Sequence, residues 1–521
     1  MHRVFGVTLL AMGLAFTSAV SAQQDPAAPD ANGQSQPSLG EMARKMRKEK
    51  PPEVKMTAEE AKDLFKHVDE VLEFASKDTG FPRRTAVKRQ LVGPSDIERF
   101  TKERLAKAEN LQRFARAELT MKKFGLLPRE FDLRDFLVKA NGQQVAGLYD
   151  EETKTISLLN TVSFEHQGPI LAHELTHALQ DQNYGLKTWA RSSGADEAET
   201  ARHAVVEGQA MVVYIDFLLA PFGRNLQNTP GVVAEMSEPA VMATIDTEMM
   251  HKAPMVLREA GSFPYREGLI FEGEVLAKSG KSAAFAGMFA HPPRNTHEVL
   301  EPRAYLEREN LVPVVIPDVR GIVTSVYEVY DSGSFGELDV RALLRQFGEK
   351  RGASDDLAAA WQGGSYVAFQ RSHGSSKPAP ATADLALLYL SRWKTKESAE
   401  RFARFYATTV AKRYQHAAVE AVPACAVSAC PVGAAQISTE EGPVIVEEWA
   451  DNTVIVSESF DVTTAAKLSA ALRSAGPEQH AGGASEDELS LRLESLPAFR
   501  EFEERVGAEF LRECVSAFGE R

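Results

Sequence analysis

The residues with the most chemistry in their spacing are His173-Glu174-Leu175-Thr176-His177, inside an uninterrupted stretch from Ile170 to Gln182 that holds neither Pro nor Gly. At 3.6 residues per turn, helix positions four apart project from nearly the same side, so the two imidazoles can meet one tetrahedral Zn2+ ion. Glu174, one step after the first imidazole, then stands where a carboxylate can take a proton from water at the metal. Leu171, Ala172, Leu175, Ala178 and Leu179 make the stretch a buried helix, and buried imidazoles and carboxylates are costly unless they bind something.

A catalytic zinc site needs a third protein ligand and an open fourth position. Gln180 and Asn183 stand where the metzincin pattern has Gly and then His, which excludes that solution. A carboxylate on a second helix is the other common one. Residues 196–214 read as such a helix, acidic at the start and apolar towards the end. Within it Glu207 lies among Ala204, Val205, Val206, Ala210 and Met211, a setting in which an ionised carboxylate needs a cation. Gly208 beside it suits close helix packing. His203, four residues earlier on the same face, competes as third ligand. Asp181, four after His177, is placed either to orient a ligand imidazole from behind or to end the helix as an exposed carboxylate.

Several elements must position these groups. Thr57-Ala58-Glu59-Glu60 reads as a capped helix start, followed by Leu64, Val68, Val71, Leu72 and Phe74 at helical spacing. Similar periodicity fills 94–124, with Leu111, Phe114, Ala117 and Met121 as its apolar face. The period then changes: Gln144 to Tyr149 and Thr155 to Leu159 read as a hairpin closed by Asp150 to Lys154.

These segments resemble the gluzincin type of zinc metallopeptidase, in which HExxH is followed by a Glu ligand on a later helix. More closely, the chain is similar to a family of secreted bacterial metallopeptidases that carry HELTHALQDQ and then an Ala-rich helix with an EGxA step. The resemblance covers about 57–305. It includes Val145 to Asp150, Phe263-Pro264-Tyr265 with Gly268, and Pro292 to Leu300. One departure is Glu301-Pro302, where the family pattern has His-Pro. Past Asn310 the match reduces mainly to Trp361 to Tyr366 and Trp393. The resemblance implies that His173, His177 and Glu207 ligate zinc and that Glu174 is general base and acid in peptide hydrolysis. It also implies a mainly helical, zincin-like catalytic domain with a small sheet, in which Ala146 to Tyr149 or Thr155 to Leu159 is either the edge that pairs with extended substrate or an ordinary covered strand. An electrophile for the oxyanion is expected in such chemistry, and Tyr265 and His203 are its candidates.

Composition sets the frame. Lys and Arg number 59 against 73 Asp and Glu, a net charge of −14, which argues against a nucleic-acid partner. Val4 to Val20 is apolar and ends at Val20-Ser21-Ala22, the pattern of a cleaved signal peptide over 1–22, and its apolar run is short of a membrane span. The expectation is a secreted or periplasmic protein with no stable span after cleavage. Residues 23–56, rich in Gln, Pro and Ala and then in charge, read as a disordered linker. The expected organisation continues as a helical segment plus catalytic domain over 57–315, an α+β accessory domain over 320–475, and a helical tail over 476–521. Overall this is an α+β chain. Cys425 and Cys430 could close a small loop, leaving Cys514 alone, or all three could be buried thiols. The functional expectation is a zinc metallopeptidase acting on peptide or protein substrates. Its rivals are a zinc-containing binding protein without turnover and a non-peptidase amide hydrolase on the same scaffold.

Overall fold

The computed structural model describes residues 57–93, 108–141, 147–159, 164–191, 196–236, 252–311, 313–323, 326–348, 350–372, 380–422 and 430–474, with positions 499, 503, 506 and 507. The expected signal peptide and linker, residues 144–146 of the hairpin, Cys425 and Cys514 lie outside them. Cys430 is disulfide-bonded, which removes the reading of three free thiols.

Helix α1 (Ala58–Thr79) buries Leu64, Val68, Val71, Leu72 and Ala75 along one stripe, as their spacing dictates. A small sheet follows from β1 (Lys88–Val92), β2 (Gly147–Asp150) and β3 (Thr155–Leu159) in the order β1-β3-β2. The hairpin forms as expected, with Tyr149 opposite Ile156. Strand β1, not legible in the sequence, pairs parallel with β3. Residues 155–159 are therefore central and cannot serve as a free edge; β1 and β2 are the outer strands, and of the hairpin's two strands only β2 lies at an edge.

Helix α2 (Ala108–Phe124) precedes the hairpin, and α3 (Phe164–Tyr184) follows it. Helix α3 packs on α1, β2 and α4 (Asp196–Leu219). Helix α4 is long and apolar enough to cross a membrane, yet that stretch is mostly buried inside the protein. Its main partner is α5 (Met255–Ser279). The two backbones touch at Gly208 and Gly268: a Cβ on Gly208 would overlap the Gly268 carbonyl, and one on Gly268 the Ala204 carbonyl. Gly261, Pro264 and Gly268 are poor helix formers, but α5 buries Leu257, Phe263, Leu269, Phe271 and Leu276, and that burial overrides propensity.

The second half of the chain carries a seven-stranded antiparallel sheet in the order β4-β5-β6-β10-β9-β8-β7. The strands are β4 (Tyr327–Ser334), β5 (Trp361–Arg371), β6 (Leu385–Trp393), β7 (Ala417–Glu420), β8 (Gly433–Thr439), β9 (Val444–Glu448) and β10 (Thr453–Glu458). Both faces of the middle strands are covered, so β6 is continuously apolar. Leu387 and Tyr389 face the cluster that includes α6 (Glu337–Gln346) and α7 (Lys396–Arg413). Ala386, Leu388 and Leu390 face α8 (Val462–Ser474). The first cluster runs without a break from Leu64 in α1 to Val456 in β10, across the division expected at 315–320. A buried polar joint reinforces it: the Lys123 ammonium donates to Glu441 Oε2 at 2.9 Å and to Ser459 Oγ at 2.7 Å, binding α2 to the sheet. The chain thus mixes helix and sheet, with the helices of the first half and the large sheet sharing one core.

Candidate metal centre

Helices α3 and α4 cross so that His173, His177 and Glu207 meet, their ligand atoms all within 4.8 Å of one another. His173 Nε2 lies 3.1 Å from Glu207 Oε2 and 3.1 Å from His177 Nε2, and His177 Nε2 lies 3.4 Å from Glu207 Oε2. Two imidazole nitrogens and a carboxylate oxygen therefore face a common point. His173 is 2% and Glu207 6% exposed, so their charge states answer to each other rather than to water. Burial opposes ionisation of Glu207, but the imidazoles of His177 and His173 outweigh it and hold the carboxyl well below its usual range. Burial likewise opposes charge on His177, and the Glu207 carboxylate overcomes it, pushing the imidazole up to about 10.

His203 does not join this group. Its Nε2 lies 3.4 Å from the other Glu207 oxygen, Oε1, so it lies beside the third donor instead of replacing it. Its Nδ1 faces Glu503 Oε2 at 3.6 Å. Glu503 is fully buried with Phe499 and Val506, and a Cβ on Gly507 would strike the Tyr265 ring. The C-terminal segment thus reaches the centre, a contribution with no signal in the local sequence, where only an amphipathic helical pattern is visible.

Glu174 accepts a hydrogen bond from the backbone N–H of Tyr149 in β2 at 2.9 Å. Burial raises its pKa, against the opposing pull of the two imidazoles and that N–H. Tyr265, on α5, is buried with its ring stacked on His173, centroids 6.1 Å apart. Asp181 does not orient an imidazole. It is buried, accepts from the Tyr149 hydroxyl at 2.8 Å and pairs with Lys154, so it fastens the hairpin to α3. The group behind His177 is Gln180, whose Oε1 lies 2.9 Å from Nδ1. The local signal for Gln180 is its i,i+3 spacing from a ligand imidazole, which places it on the same helix face.

Glu298 and His297, in the segment matched by resemblance, serve the frame. Glu298 binds Arg294, and His297 Nδ1 pairs with Glu337 at the start of α6. Thr296 donates through its N–H and hydroxyl to Glu197 Oε2, at 2.9 and 2.7 Å, anchoring the first turn of α4.

A family model described as a domain of unknown function, DUF8575, matches residues 325–469, which span the large sheet and not the His-His-Glu cluster. No curated protein and no solved structure matches the chain.

Proposed function

We propose that this chain is a secreted, zinc-dependent metallopeptidase with a zincin-like, gluzincin-type centre formed by His173, His177 and Glu207. The observation that carries the reading is the spacing of the three donors. A tetrahedral zinc with bonds of about 2.0–2.1 Å sets its donors roughly 3.3–3.4 Å apart, and the cluster's separations are 3.1, 3.1 and 3.4 Å. Two nitrogens and one carboxylate oxygen are also the donor chemistry zinc accepts, and they leave one position of four for a reactant. When bound, zinc would supply Lewis acidity, acidifying water and polarising a carbonyl.

The remaining roles belong to this chain's own residues. Glu174, half-buried and raised in proton affinity by its desolvation, suits a base that takes a proton and returns it to the leaving amine. The Tyr149 N–H fixes one of its oxygens. That hydrogen bond points the outer edge of β2 towards Glu174, so an extended peptide added to this edge would lie beside the base. Tyr265 and His203 flank the cluster from α5 and α4, where a donor to a developing oxyanion would stand. The N-terminal pattern over 1–22 supports export.

Glu174→Gln tests the reading. The substitution keeps the donors and should leave zinc content unchanged while abolishing cleavage of a peptide library. A variant that retains most of its activity would remove Glu174 from its role, and a wild type that cleaves small amides but no peptide would favour the amide hydrolase.

A further inference from the structure

Behind His177 stands a chain of groups whose polarity is forced from its far end. Residues Ala283–Gly287 form a π-helical turn, a rare conformation found frequently at functional sites. Its carbonyls of Ala284 and Phe285 can only accept, and they accept from Gln209 Nε2 at 2.8 and 3.0 Å. The Gln209 amide is thereby oriented with Oε1 towards Gln180, whose Nε2 donates to it at 3.0 Å. The same Gln180 nitrogen donates to the Val206 carbonyl at 3.0 Å. Turning the Gln180 amide over would set oxygen against oxygen at both contacts, with both side chains fully buried and no solvent to compensate. Gln180 Oε1 must therefore face His177, and only a protonated Nδ1 satisfies it. His177 Nε2 is then the nitrogen turned to His173 and Glu207.

We propose that Gln180 and Gln209 are positioning residues that lock the imidazole of His177, holding its proton on Nδ1 and its Nε2 towards the cluster. The proposal rests on reading that cluster as a metal site. The lock also sets the register between the two ligand helices, because Val206, which Gln180 grips, immediately precedes Glu207. The two anchors of the device are main-chain carbonyls, that of Val206 on α4 and those of the turn after α5, so backbone orients a metal ligand on α3.

The test uses the full chain labelled with 15N, with Zn2+ as probe in competition with a chromophoric chelator. In wild type, with or without zinc, His177 should show an Nδ1–H proton protected from solvent exchange. Gln180→Met, close in shape but without the amide, should lose that protection and bind zinc about 10–100-fold more weakly. Gln209→Met should shift both readouts the same way. A wild-type protein with no protected Nδ1–H overturns the lock whatever the variants do. So does a Gln180→Met variant that keeps the protected proton and the wild-type affinity. A wild type that takes up no zinc defeats the metal reading instead, while the exchange experiment still decides the lock.

Discussion

Asp216 offers a numerical test of how the ligand-bearing helix is held. It sits on α4 nine residues beyond Glu207, is 2% exposed, and accepts from the Leu226 N–H at 2.5 Å. Burial, and then the neighbouring Asp78 carboxylate, push its pKa from 3.8 to about 7, with the Leu226 N–H and Lys281 pulling the other way. A rise of about three units at 1.36 kcal/mol each is about 4 kcal/mol of ionisation cost carried by the folded state. The sign follows from proton binding. Between pH 4 and 7 the folded protein holds a proton that the unfolded chain has released, so this group's stabilisation is complete below pH 4 and lost as pH rises through 7. Asp216→Asn keeps an acceptor for Leu226 and places a donor towards Asp78. In urea unfolding the variant should match wild type near pH 4 and exceed it at pH 8.5 by up to about 4 kcal/mol. A difference independent of pH, or a wild type more stable at pH 8.5, would refute the reasoning.

Two further substitutions probe the donors and their support. Glu207→Ala leaves two protein donors and should strip zinc and activity together, whereas His203→Ala should keep zinc; the reverse pattern in metal analysis would make the centre a three-histidine site. Gly208→Ala inserts a methyl group against the Gly268 carbonyl, and overpacking of this kind costs about 1–3 kcal/mol. It should lower the melting temperature and, through the adjacent Glu207, weaken zinc affinity; an unchanged melting temperature would contradict the close approach of α4 and α5.

The donors were legible because their chemistry is local: His173 and His177 share one helix face, and Glu207 is the carboxylate that its own helix surrounds with apolar residues. The supporting shell was not, because its partners are far apart in sequence. Gln209 meets residues 284 and 285, and His203 faces Glu503, contacts that no periodicity encodes. Among the elements, α1 and the hairpin follow their apolar patterns. Helix α5 was hidden by Gly261, Pro264 and Gly268, which burial outweighs. Strand β1 was hidden because Lys88 and Gln90 are polar and only Val92 is fully buried. The exposed strand β7 has no buried face to impose alternation.

The central claim is that His173, His177 and Glu207 hold zinc, and the direct measurement is the metal content of the full chain, purified without chelators and analysed by mass spectrometry. The account predicts stoichiometric zinc in the wild type and its loss in His173→Ala. A wild-type protein that carries no zinc and takes none up on addition would contradict it.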